Sequence, residues 1–127
     1  MRIKLETDAY YLILDKIQKR EYKLVTSPVL FMEIKCIKDI QEKYQLLYLL
    51  KKFSCKSDYD LNKAKERTEE LIFLKFGIAD AAHIAFAEQS ANIFITCDDK
   101  LLNRSKKHKL KIITMNPIGF CNVEYLK

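Results

Sequence analysis

Chain punctuation is scarce here: 127 residues contain only two Gly and two Pro. So few breakers predict a molecule built mostly of regular elements. Long hydrophobic runs are missing too, and no uninterrupted apolar segment approaches the roughly 20 residues that a membrane span needs. The opening stretch MRIKLETDAYYLILDKI puts acids inside its apolar part and offers no small-residue cleavage site, unlike a secretory signal. These absences predict a cytoplasmic protein with no membrane partner. Paired cysteines are absent as well. Cys36, Cys55, Cys97 and Cys121 are spread out with no C-x-x-C, and His83 and His108 lie apart from any cysteine pair. That spacing argues against a zinc site; two disulfides remain possible from spacing alone, but the thiols are expected to stay buried or reduced. Internal repeats and low-complexity linkers do not occur.

What is present is an ordinary globular balance, 49% hydrophobic and 31% charged. The length is most simply a single domain, residues 1–127, with one core. Lys and Arg number 23 against 17 Asp and Glu, a formal charge of +6 that favours an anionic partner. The excess is concentrated in KLLNRSKKHKLK, Lys100 to Lys111, with six cationic side chains and no acid. Two readings stand: a solvated turn, or an edge where Lys100, Arg104, Lys106, Lys107 and Lys109 contact phosphates and make binding salt-sensitive.

Leu5, Ala9, Leu12, Ile13 and Ile17 recur at helical spacing, so the first segment reads as an amphipathic helix. Tyr22, Leu24 and Val25 read as a short strand. Ser27-Pro28 supplies an N-cap and a first-turn proline for a short helix, VLFMEIKCI. Another helix around Tyr44, Leu47 and Leu50 runs to the polar break SCKSDYD. A charged helix over 61–75, carrying Ala64, Leu71 and Ile72, is expected to end with Gly77 as its C-cap. Alanine-dense 79–89 reads as a helix able to pack closely on a sheet. IFITC and KIITM read as buried strands around the helical DKLLNRSKK, and Asn116-Pro117 stops the second. Apolar strands separated by helices imply an α/β domain whose parallel sheet is covered on both faces.

The stretch GIADAAHIAFAEQSANIFITCDDKLL, residues 77–102, sets acids among these apolar segments. Asp80 stands at the start of a helix and Asp98 just past a strand, and both positions suit caps. Glu33 is the one charged residue in VLFMEI, and an ionised carboxylate there must reach solvent, a cation or a metal. Together Glu33, Asp80 and Asp98 stand near junctions that a parallel sheet gathers at one end. Converging carboxylates need a cation, and oxygen ligands without clustered Cys or His point to Mg²⁺ or Mn²⁺. His83 shares a helix face with Asp80 and could bond to an acid or pack among the alanines, packing being the expected role.

SPVLFMEI, then GIADAAHIAFAEQSANIFITCDDKLLNRSKK, then KIITMNPIGF, resembles a PIN domain of the small prokaryotic kind. The resemblance covers nearly the whole chain, and its most specific part is the ordered pair DAAHIAFA and FITCDDKLL before a strand ending in NP. It implies a three-layer α/β/α fold with a short parallel sheet. The implied activity is that of a metal-dependent endoribonuclease using Mg²⁺ or Mn²⁺, and the implied role is that of a toxin paired with an antitoxin protein. Its catalytic and metal-binding acids map to Glu33, Asp80 and Asp98, the match falling on Asp98 rather than Asp99, with Thr96 at the hydroxyl position of the strand end.

One departure stands out. Such domains open with a strand bearing an acid, whereas this chain opens at RIKLETDAYYLIL, which resembles the helix that follows. Glu6 and Asp8 lie within that helix and do not replace the acid. The expectation is therefore an N-terminally truncated PIN-like domain without its first, central strand, with exposed strand edges that favour a homodimer. The alternative reading is a catalytically impaired homologue that binds RNA or a protein without cutting.

Overall fold

The computed structural model describes residues 2–55 and 58–126. The elements run α1 (Arg2–Gln18), β1 (Leu24–Val25), α2 (Pro28–Lys35), α3 (Ile40–Phe53), β2 (Ser54–Cys55), α4 (Leu61–Phe73), α5 (Ile78–Ser90), β3 (Ile93–Ile95), α6 (Asp99–Lys107), β4 (Ile113–Met115) and α7 (Pro117–Val123). The chain is mixed α/β and dominated by helices, with two short parallel strand pairs, β1 beside β2 and β3 beside β4. The strands expected to share one sheet are thus two separate pairs among the described residues. No described helix is long and apolar enough to cross a membrane.

Two compact units divide the fold, Lys23–Ser90 and Met1–Tyr22 with Ala91–Lys127. In the 23–90 unit, helix starts are written into the sequence. Ser27 Oγ accepts from Leu30 N at 3.2 Å, ahead of Pro28 at the first helical position. Asp39 caps α3 through Glu42 N at 3.1 Å, and Asp60 caps α4 through Lys63 N at 3.0 Å. The core forms where α4 meets α5: Leu71, Ala81 and Ile84 are fully buried, with Ala64, Ala85 and Phe86 around them. The small side chains of α5 therefore serve close packing against helix α4 rather than a sheet. Across this contact Arg67 forks onto Glu88, Nε to Oε1 at 2.7 Å and Nη2 to Oε2 at 3.2 Å. Glu88 is 4% exposed and is tolerated there because it is paired.

Three local expectations need correction. Lys75, not Gly77, takes the left-handed conformation after α4, with φ 77°, and Gly77 has a negative φ. Gly77 instead opens α5, its carbonyl accepting from Ala81 N at 2.8 Å. Ser54 and Cys55, part of the polar break SCKSDYD, pair with Leu24 and Val25 as β2, while residues 56–57 of that break lie outside the described residues. Ile72 and Ile113 are exposed rather than buried, the buried neighbours being Leu71 and Ile112.

In the other unit α1 packs on α7, burying Ala9, Ile17, Phe120 and Cys121, whose thiol reaches Ala9 O at 3.5 Å. Tyr22 stacks edge-on against Phe120, centroids 5.4 Å apart, and donates to Glu124 at 2.9 Å. Desolvation first, then that hydrogen bond, pushes the Tyr22 phenol up to about 12. α6 leads from β3 to its parallel neighbour β4, as a parallel pair requires. Asn116-Pro117 does end β4, but it also starts α7: Asn116 Oδ1 accepts from Gly119 N at 2.6 Å. All four cysteines are free thiols.

Candidate functional site

Within the 23–90 unit the cap at Ser27 fixes the phase of α2, which buries Ile34 and turns its neighbour Glu33 outward. The Glu33 side chain is 53% exposed, so its charge keeps water. It also gains one polar partner: Oε1 meets His83 Nε2 of α5, and the imidazole donates there when its proton is on Nε2. His83 thus bonds to an acid on another helix, the alternative to the packing among the alanines that the sequence favoured. Asp80 lies in the first turn of α5, where the helix dipole favours a carboxylate, and three residues before His83 on the same face. One candidate acid is therefore bonded to a residue one turn from a second. No stretch of sequence announces the Glu33–His83 contact, since 50 residues separate the two; the signal in DAAH is only the i, i+3 spacing.

Asp98 belongs to the other unit and is the N-cap of α6. Its Oδ1 accepts from Lys100 N at 2.9 Å and Leu101 N at 3.2 Å. Thr96, placed at the strand end, holds the approach: its Oγ1 accepts from Asp98 N at 3.2 Å, and its own N–H donates to Met115 O at 3.0 Å. The capping role that Asp98 suggested is what its geometry shows.

Asp99, one residue on, has a partner that sequence reasoning missed. Arg2 grips both its oxygens, Nη1 and Nη2 each at 2.6 Å, and turns Nε onto Glu6 at 2.6 Å. The guanidinium holds the Asp99 carboxyl below its ordinary range. Hydrogen bonds from Cys97 and then Arg2 do the same for Glu6, while the Glu6 bond and desolvation push the Cys97 thiol up to about 11. Cys97 is thereby a poor nucleophile. Ninety-seven residues separate Arg2 from Asp99, which is why the pair is invisible in any local pattern.

Oxygen donors such as these suit Mg²⁺ or Mn²⁺ by type. By arrangement they do not yet make a cage: among the described residues no group of three or more His, Cys, Asp or Glu side chains is placed to hold an ion. Glu33 Oε1 is engaged by His83, and one oxygen of Asp98 is committed to amides.

The cationic run has a clear local form. α6 buries Leu101, Leu102 and Ser105 on one side, and Lys100, Lys106 and Lys107 are exposed on the other, with Lys109 exposed just beyond. Arg104 is half-buried and has contacts of its own. Such a helix presents its charges to solvent. The class defined by these features is a helix-rich α/β protein with short parallel strand pairs. Compared with known proteins, the chain matches no family model, no curated protein and no solved structure.

Proposed function

We propose that the chain is a PIN-type endoribonuclease, dependent on Mg²⁺ or Mn²⁺, in which Glu33, Asp80 and Asp98 are the acids of the site and RNA is the substrate. The finer fold, a three-layer PIN-like arrangement, a cytoplasmic location, a homodimeric state and pairing with an antitoxin belong to the same proposal. The sequence resemblance supports it, and one contact carries it furthest. Glu33 and His83, 50 residues apart, are bonded, and His83 stands one turn from Asp80. A carboxylate bonded to an imidazole that stands one turn from a second acid is an arrangement suited to proton handling or cation binding.

The test is cleavage of single-stranded RNA by the purified chain with Mn²⁺, with EDTA, and by Asp80→Asn and Asp98→Asn. Cleavage is expected with Mn²⁺ and not with EDTA, and each substitution is expected to lower the rate by about a hundredfold or more, since each removes a charge from the site. Cleavage that survives EDTA and both substitutions rejects the reading. A second reading, a module that binds RNA without cutting it, is favoured by the exposed lysines of α6, whose phosphate contacts need no ion. RNA retention without cleavage in the same assay assigns that one.

A further inference from the structure

α3 carries a face that the proposed site does not use. The helix is anchored through Leu50, and its opposite side leaves Tyr44 and Tyr48 each 64% exposed, one turn apart. Gln41, Gln45, Lys51 and Lys52 are all exposed. At about 100° per residue they fall within the same arc of about 120° as the two rings. No acid lies in that arc. Asp39 is the cap that starts the helix. Glu42 projects about 60° beyond the edge of the arc. Lys52 Nζ stands 5.7 Å from the Tyr48 ring centroid and 5.4 Å from that of Phe53. A cation is thus held beside aromatic faces.

We infer that this face of α3 is a stacking platform for single-stranded RNA. Exposed aromatic rings offer every base a π-surface, cations at the rim meet the phosphates, and amides supply sequence-tolerant hydrogen bonds. The chemistry of the face selects among occupants. A second copy seated on it by a two-fold axis would meet the same residues, lysines included, and would bring no counter-charge. A polyanion supplies that charge. Two other exposed helix aromatics lack this character: Tyr11 has Asp8 three residues before it and Asp15 four after, and Phe73 follows Glu69 and Glu70. Carboxylates at those spacings share the ring's face of the helix and repel phosphate. The inference rests on RNA as the partner in the reading above, but not on cleavage.

The experiment measures binding of a fluorescein-labelled, mixed-sequence single-stranded RNA 12-mer by anisotropy, in EDTA to prevent cutting. It compares the full chain with Tyr44→Ala/Tyr48→Ala, Tyr44→Phe/Tyr48→Phe and Tyr11→Ala. A parallel titration uses the same RNA carrying 2-aminopurine, whose fluorescence falls when it stacks. Each ring removed is expected to weaken binding by roughly tenfold, the order that base–aromatic stacking contributes. The phenylalanine pair and Tyr11→Ala should bind like the parent, and the quench should vanish only in the alanine pair. Equal binding by parent and alanine pair overturns the inference and leaves RNA as the partner. An alanine pair with altered oligomeric state and unchanged RNA affinity also overturns it, assigning the face to a second copy. A parent chain that binds no single-stranded RNA removes the partner and the inference together.

Discussion

At the scale of single residues, the acids of 77–102 divide by what neutralises them. The Glu88 side chain is 4% exposed, and its charge is carried by Arg67, itself only 20% exposed. Arg67→Met takes away both guanidinium bonds to Glu88, with the exposed one to Glu70, and leaves a carboxylate in a site that water scarcely reaches. Breaking one side of such a pair costs about 3 kcal/mol, so a midpoint drop of roughly 10 °C is expected in thermal unfolding. Arg67→Met/Glu88→Leu should recover most of that loss, because a packed apolar pair carries no desolvation penalty. If the double variant melts as low as the single one, the pair's packing rather than its charge dominates the site. Ser105 presents the opposite case. It is 6% exposed, and its Oγ is the buried side-chain polar atom without a partner among the described residues. An unsatisfied buried hydroxyl costs free energy that alanine does not, so Ser105→Ala should stabilise the chain by about 1 kcal/mol in urea titration, with an unchanged slope.

At the scale of elements, legibility follows the range of the interactions that make each one. Ser27-Pro28, Asp98 and the apolar spacing of α1 act within four residues, and the helices they specify stand where the sequence places them. Asn116-Pro117 carries the same signal as Ser27-Pro28, yet reads as a stop from the strand side and as the start of α7 from the other. β2 is a two-residue strand made of Ser and Cys, created by its partner Leu24–Val25 rather than by its own composition, and no local pattern marks it. Gly77 is the natural candidate for a left-handed cap, but Lys75 takes that conformation two residues earlier, and the glycine serves the next helix. The site divides the same way. The capping oxygen of Asp98 and the shared face of Asp80 and His83 are local and readable. The bonds from His83 to Glu33 and from Arg2 to Asp99 join distant segments and are not.

At the scale of the whole molecule, charge is unevenly shared. Met1–Tyr22 with Ala91–Lys127 holds twelve Lys and Arg against seven Asp and Glu, whereas Lys23–Ser90 holds eleven against ten. Nearly all of the net +6 therefore belongs to the unit that contains α6. If RNA is held there through phosphates, each lysine engaged releases counterions, and log Kd against log salt should rise by about 0.7 per contact for a single strand. Lys106→Gln/Lys107→Gln/Lys109→Gln removes three exposed charges without touching Leu101, Leu102 or Ser105, so the fold should keep its helical circular dichroism. The salt slope should fall by about 2, and affinity should weaken alike for unrelated RNA sequences, because phosphate contacts carry no base information. Anisotropy titrations over a range of KCl concentrations with two unrelated 12-mers measure both quantities. The tyrosines of α3 offer an internal contrast, since stacking is a contact with bases: removing them should weaken binding at every salt concentration while leaving the slope nearly unchanged. A triple glutamine variant that keeps the parent's slope would place the phosphate contacts elsewhere on the chain.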